Sequence, residues 1–169
     1  MDNKKNIQRL ANEFILRNKL EYPLKVESLL ELCGKLGIII NSYNHAEAKI
    51  KKYQLEEYTE KYDAFTIIGK EKAMIFYRDE LPYGKKAFSI LHEIGHSELC
   101  HTFNGIMGKS DNQEEEDRQE NEADLFAYHV AAPLCYLREL SAYSPEQIQT
   151  ATLLDEKEAK TVSEMVVNL

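Results

Sequence analysis

The sequence predicts an α+β domain, with helices first, a small and mostly antiparallel sheet next, two packed helices after it and a helical pair at the C-terminus. Three observations predict this. Apolar residues near the N-terminus recur at helical spacing, at Ile7, Leu10, Ala11, Phe14 and Ile15. Short β-prone runs follow at residues 38–40, 64–68 and 73–77. Beyond them come two longer helical patterns, over residues 87–101 and 114–133.

Taken in order, the first helix covers residues 1–20 and Pro23 breaks the chain. Leu29, Leu30, Cys33 and Leu36 repeat the pattern, Gly37 stands where a helix C-cap belongs, and Cys33 reads as a small core residue. Ile38-Ile39-Ile40 reads as a strand. Residues 44–63 are highly charged with scattered tyrosines, and fit either a helix or an ordered loop over a cleft. His45 in this stretch is assigned to solvent, because nothing marks a partner for it. Residues 64–68 and 73–77, separated by Gly69-Lys70-Glu71-Lys72, read as a hairpin, one edge of which could pair with an extended peptide. Leu81-Pro82-Tyr83-Gly84 is a turn into the next helix. Thr102 to Asn121 contains Gly105, Gly108 and the acidic run Glu114 to Asp117, and reads as a mobile loop overlapping the next helical pattern.

Pro133 closes that pattern, and Ser144-Pro145 opens a short helix followed by a last one carrying Val162, Met165 and Val166. This pair echoes a helix-turn-helix. Its only positive charges are Lys157 and Lys160, so packing or partner contact is expected rather than DNA binding. The chain therefore divides into a main domain, residues 1–143, and a C-terminal helical extension, residues 144–169, packed on it.

At 169 residues the chain can bury a core without staples, and its 43% hydrophobic and 30% charged content is ordinary for a globular domain. A net charge of −8 argues against a nucleic-acid surface over the whole protein and favours protein partners. Cys33, Cys100 and Cys135 show no C-x-x-C spacing, so a reducing cytoplasm is expected rather than a disulfide framework. No stretch resembles a signal peptide or a membrane span.

The chemistry is concentrated in residues 87–101, AFSILHEIGHSELCH. On a helix, His92 and His96 are four apart and project from one face, so two imidazoles can grip one divalent cation. Glu93 is rotated by about 100°, close enough to take a proton from a metal-bound water without itself being a ligand. The alternative is a surface helix with two stacked histidines. Its flanks, Ala87, Phe88, Ile90, Leu91 and Ile94, are too apolar for that, and burying these polar groups without a cation would be costly. Gly95 inside the helix suggests the close approach of another backbone. His101, about 180° from His92 on a continuous helix, should not reach the same metal, and Cys100 drifts about 80° from His92. The longer H-E-x-x-H-x-x-G-x-x-H pattern fails at Leu99 and Thr102.

Residues 114–133 are the expected source of a third ligand. As a helix they place Glu120, Asp124, Ala127 and Ala131 on one face, with Glu116 sharing it. Glu122, about 160° from Glu120, should point to water, and His129 falls on the far side. From spacing alone, Glu116 and Glu120 both stand as ligands, and a solvated acidic helix start is the plain alternative. Asp124, one turn beyond Glu120, suits an acceptor for a ligand histidine N–H.

His92-Glu93-Ile94-Gly95-His96, followed by Glu120-x-x-Ala123-Asp124-x-Phe126-Ala127 and ending in Ala132-Pro133, resembles the ImmA/IrrE family of metallopeptidases of bacteria and their mobile elements. The resemblance implies a zincin-like domain with His92, His96 and Glu120 as metal ligands and Glu93 as general base. It selects Glu120 over Glu116. It implies one zinc ion, or another divalent metal, and a narrow protein substrate: a helix-turn-helix repressor cleaved to derepress a mobile element or stress response. Ile94 in place of the commoner Leu, and His129 with Ala131-Ala132 before the proline, depart from the pattern without touching the chemistry. An antirepressor or antitoxin-like binding module with a structural metal, and a hydrolase of small molecules or short peptides, are the alternatives.

Overall fold

The structure, a computed structural model, describes residues 3–68, 72–101 and 112–167. Helix α1 (Asn3–Asn18) buries Ile7, Ala11 and Phe14 on one stripe, as their spacing predicts. Helix α2 (Val26–Lys35) buries Leu29, Leu32 and Cys33. Burial pushes the Cys33 thiol up to about 12, so it serves as packing and not as a nucleophile.

Strand β1 (Ile39–Ser42) leads into a 3-10 turn, Tyr43–His45, and two short helices, α3 (Glu47–Tyr53) and α4 (Glu56–Lys61). The end of this segment, Tyr62 with Asp63, lines the cleft, but its two helices do not. The segment covers the back of the sheet, where Tyr43, Ala46, Ile50 and Leu55 form a second core with sheet residues such as Phe65 and Phe76. The sparse apolar positions, obscured by charge in the sequence, are the ones that turn inward. His45 is exposed but not unpartnered, with Nδ1 2.8 Å from Ser42 Oγ.

Strands β2 (Ala64–Ile68) and β3 (Ala73–Tyr77) pair antiparallel with Thr66 opposite Ile75. Residues 69–71 of the expected hairpin turn lie outside the described residues. β1 joins the other side of β3 in parallel, giving the order β1-β3-β2. The sheet is therefore mixed, because the helical excursion through residues 43–63 carries the chain across before β2 begins. Side chains alternate across it: Met74 and Phe76 face the second core, while Ile75 and Thr66 face the helices.

Helix α5 (Tyr83–Glu98) lies against β2, β3 and helix α6 (Gln113–Ala131), and α1 packs along α6 with Phe14 edge-on to Phe126. Gly95 is where α5 and α6 meet. A Cβ there would stand 3.1 Å from Phe126 Cδ1 and 3.2 Å from the Ala123 carbonyl oxygen, the close approach that a glycine inside the helix implies. The acidic run Glu114–Asp117 is not loop but the first turns of α6, which Asn112 caps by accepting from the Glu114 N–H. Residues 102–111 of the expected mobile loop lie outside the described residues.

Helices α7 (Leu134–Glu139), α8 (Pro145–Thr152) and α9 (Glu156–Val167) complete the chain. Ser144 and Gln147 form a capping box at the start of α8, with Pro145 in its first turn. Ile148, Leu154, Ala159 and Val162 enter the main core beside residues of α5 and α6. The turn before α9 presses on Gly84, where a Cβ would collide with the Leu153 carbonyl oxygen and lie 2.7 Å from the Asp155 nitrogen. Among the described residues, no helix is long and apolar enough to cross a membrane.

Candidate metal centre

The inner turns of α5 carry His92, Glu93 and His96, held by a helix whose other faces bury Ile90, Leu91 and Ile94. Because Gly95 lets α6 come close, the side chain of Glu120 meets the two imidazoles. His92 Nε2 lies 3.0 Å from His96 Nε2 and 3.2 Å from Glu120 Oε2, and His96 Nε2 lies 3.8 Å from Glu120 Oε1. All three residues offer a ligand atom within 4.8 Å of the others, and they form the one such cluster among the described residues. Zinc bonds of 2.0–2.1 Å in a tetrahedron set neighbouring donors about 3.3 Å apart, so this donor set fits the ion in spacing and in chemistry. Glu116 is not part of the cluster.

Asp124 stands one turn on from Glu120, with Oδ1 2.7 Å from His92 Nδ1. A carboxylate only accepts, so His92 donates from Nδ1 and turns Nε2 toward His96 and Glu120. Burial acts to lower the His92 pKa, but the hydrogen bonds to Asp124 and Glu120 and the charge of Glu93 raise it, to about 10. The same carboxylates would favour a metal cation in place of the ring's second proton.

Glu93 is buried, and its Oε2 accepts a 2.7 Å hydrogen bond from Thr66 Oγ1 on β2. Helical spacing gives no sign of Thr66 as part of the site. Its one signal in the sequence is a single polar residue within the apolar run Ala-Phe-Thr-Ile-Ile, on the alternation that faces α5. Glu93 opens on a cleft of about 230 Å³ lined also by His92, Glu120, Asp124 and the β2 residues Ala64 and Phe65.

Two placements correct the helical-wheel reading. α5 ends at Glu98 and Cys100 takes a left-handed conformation (φ 53°), which folds His101 back beneath the helix end instead of carrying it to the opposite face. Its Nδ1 sits 2.8 Å from His96 Nδ1, on the side of His96 away from His92. Glu122 does point away from Glu120, yet that side faces protein and not water. Its Oε2 lies 3.0 Å from His101 Nε2. Cys100 is exposed and stands outside the cluster, as does His129, half-buried on α6.

No curated protein matches the chain. Residues 33–163, from α2 into α9, match the peptidase family described as the IrrE N-terminal-like domain. That span takes in α5, α6 and every residue of the cluster, so the chain belongs to the ImmA/IrrE family of peptidases.

Proposed function

We propose that the protein is a cytoplasmic zinc-dependent endopeptidase that cleaves a helix-turn-helix transcriptional repressor, derepressing a mobile element or stress response. The observation that carries this reading is the convergence of His92 Nε2, His96 Nε2 and a Glu120 oxygen beside a buried Glu93, at the floor of an open cleft. His92, His96 and Glu120 would hold the ion, and Asp124 would orient His92. Bound there, zinc would supply Lewis acidity, acidifying a water and polarising the scissile carbonyl.

The protein's own groups do the rest. Glu93 takes the proton of the attacking water and returns it to the leaving amine, so one carboxylate serves as base and then as acid. Thr66 fixes the rotamer in which that carboxylate faces the cleft. β2 is an edge strand, and its Ala64 and Phe65 line the cleft beside His92. An extended segment of substrate adding to this edge would lay its backbone across the site, with main-chain hydrogen bonds giving affinity and side-chain pockets giving selectivity.

The test is purification with metal analysis, then incubation of the parent protein and Glu93→Gln with the repressor encoded beside its gene. The parent is expected to hold one zinc ion and cut the repressor, and the variant to hold zinc without cutting. A Glu93→Gln protein that still relieves repression without cleavage would replace the endopeptidase with a binding module carrying a structural metal. Turnover of short generic peptides with the repressor left intact would point to a peptide hydrolase.

A further inference from the structure

Neither His101 nor Glu122 has a part in the hydrolytic reading, yet both are buried, and with His101 neutral their hydrogen bonds leave one consistent arrangement of protons. Glu122 is gripped at Oε1 by Asn3 Nδ2 (2.8 Å) and Arg118 Nη1 (2.5 Å), and its Oε2 faces His101 Nε2 at 3.0 Å. A carboxylate accepts, so His101 carries its hydrogen on Nε2 and, as a neutral ring, presents a lone pair at Nδ1. That lone pair faces His96 Nδ1 at 2.8 Å, so His96 donates from Nδ1. The remaining lone pair of His96, on Nε2, then points at His92 and Glu120.

We propose that Glu122 and His101 act in series as positioning residues, setting the His96 tautomer so that Nε2 presents its lone pair to the cation. This rests on the metal-site reading above. Asp124 does the same for His92 in one step. Two steps are needed for His96 because Glu122 lies about 160° around α6 from Glu120. From there it reaches the far nitrogen of His96 only through His101, which the left-handed Cys100 places between them. The opposite order of protons would put a hydrogen on His96 Nε2, where it would occupy the ligand position. The His101 ring is 3% exposed, which leaves water little room to replace it as acceptor. Asn3 ties the series to the first turn of α1.

The test uses Zn²⁺ as the probe on the full chain, with apparent affinity measured by chelator competition for the parent, His101→Phe and His101→Asn. Phenylalanine fills the space without an acceptor, and affinity is expected to fall about 10–100-fold. Asparagine can place its amide oxygen near the position of Nδ1 and is expected to restore most of the loss. Long-range ¹H–¹⁵N imidazole spectra of the zinc-loaded parent give a second measurement that survives a folding failure of His101→Phe, with His96 expected protonated at Nδ1 and His101 at Nε2. Parental zinc affinity in folded His101→Phe, or His101 protonated at Nδ1 in the parent, overturns the relay and leaves the metal site standing. A parent protein that takes up no zinc overturns both.

Discussion

Thr66 Oγ1 donates to Glu93 Oε2 across 2.7 Å, joining the middle of the edge strand to the proposed base. Both groups are buried, so the bond is shielded from competing water. Thr66→Val keeps the shape and removes the donor, allowing Glu93 to leave its rotamer. Expected is a roughly 10-fold loss in kcat, less than the roughly 10²–10⁴-fold that the proton-transfer group itself contributes, with zinc content and KM little changed. Thr66→Ser should restore most of it. Steady-state kinetics on a cleavable repressor, alongside metal analysis, checks this, and an unchanged kcat in Thr66→Val would remove Thr66 from the proposed machinery.

His92, His96 and Glu120 are the proposed donors, whereas Asp124 bonds the far nitrogen of His92 and lies outside the cluster. The two classes should separate on zinc titration. His92→Ala, His96→Ala or Glu120→Ala each deletes a donor and should abolish stoichiometric zinc. Asp124→Ala keeps three donors and should weaken binding about 10–100-fold, as loss of an orienting partner does. Since an ion that binds only the folded state stabilises it, chelation should lower the Tm of the parent and leave the three donor variants unmoved.

Much of this site is legible in the sequence. His92 and His96 at i, i+4, Gly95 beside Ile94, and a face shared by Glu116, Glu120 and Asp124 are periodic facts about helices, which repeat their geometry reliably, while the choice of Glu120 over Glu116 comes from the family resemblance. What the sequence hides are departures from the repeat. A wheel drawn through His101 assumes that α5 continues, but the left-handed Cys100 ends that assumption, with no glycine or proline to announce it. For Glu122 the wheel gives the right angle and the wrong environment, because it supplies direction and says nothing of what lies there. Thr66 belongs to another element altogether. The parallel pairing of β1 and β3 is equally non-local, since no short turn marks it as one marks a hairpin.

Gly84 and Gly95 both lie on α5, and a methyl group at each meets a different obstacle. At Gly84 the obstacles are the Asp155 side chain and, less yielding, backbone atoms of Leu153 and Asp155, which can move only if the turn between α8 and α9 shifts. At Gly95 the neighbours need to give by only tenths of an ångström, but they are the fully buried Phe126 ring and the α6 backbone. Alanine gains about 1 kcal/mol of helix propensity at Gly95 and less at Gly84, the second residue of α5, against an overpacking cost of about 1–3 kcal/mol. Gly95→Ala should therefore be destabilising by about 1 kcal/mol, and Gly84→Ala by more. Denaturant melts of both variants check the order, and a stabilised Gly84→Ala would contradict the packing of the C-terminal helices on α5.

His129 offers a pH test away from the cluster. Burial lowers its pKa below the usual histidine value of about 6.5, so the folded protein keeps this ring neutral where the unfolded chain has begun to protonate it. The sign follows from proton counting: below pH 6.5 the unfolded state binds more protons than the folded one, so stability falls with pH. The contribution is full above about pH 6.5 and is lost as pH drops through the lowered folded value, below which it changes no further. His129→Gln removes the titration and should flatten the dependence between pH 7.5 and pH 5. Comparing urea midpoints of parent and variant across that range isolates His129 from the other histidines, which both proteins share, and parallel curves would show that its burial has no linked cost.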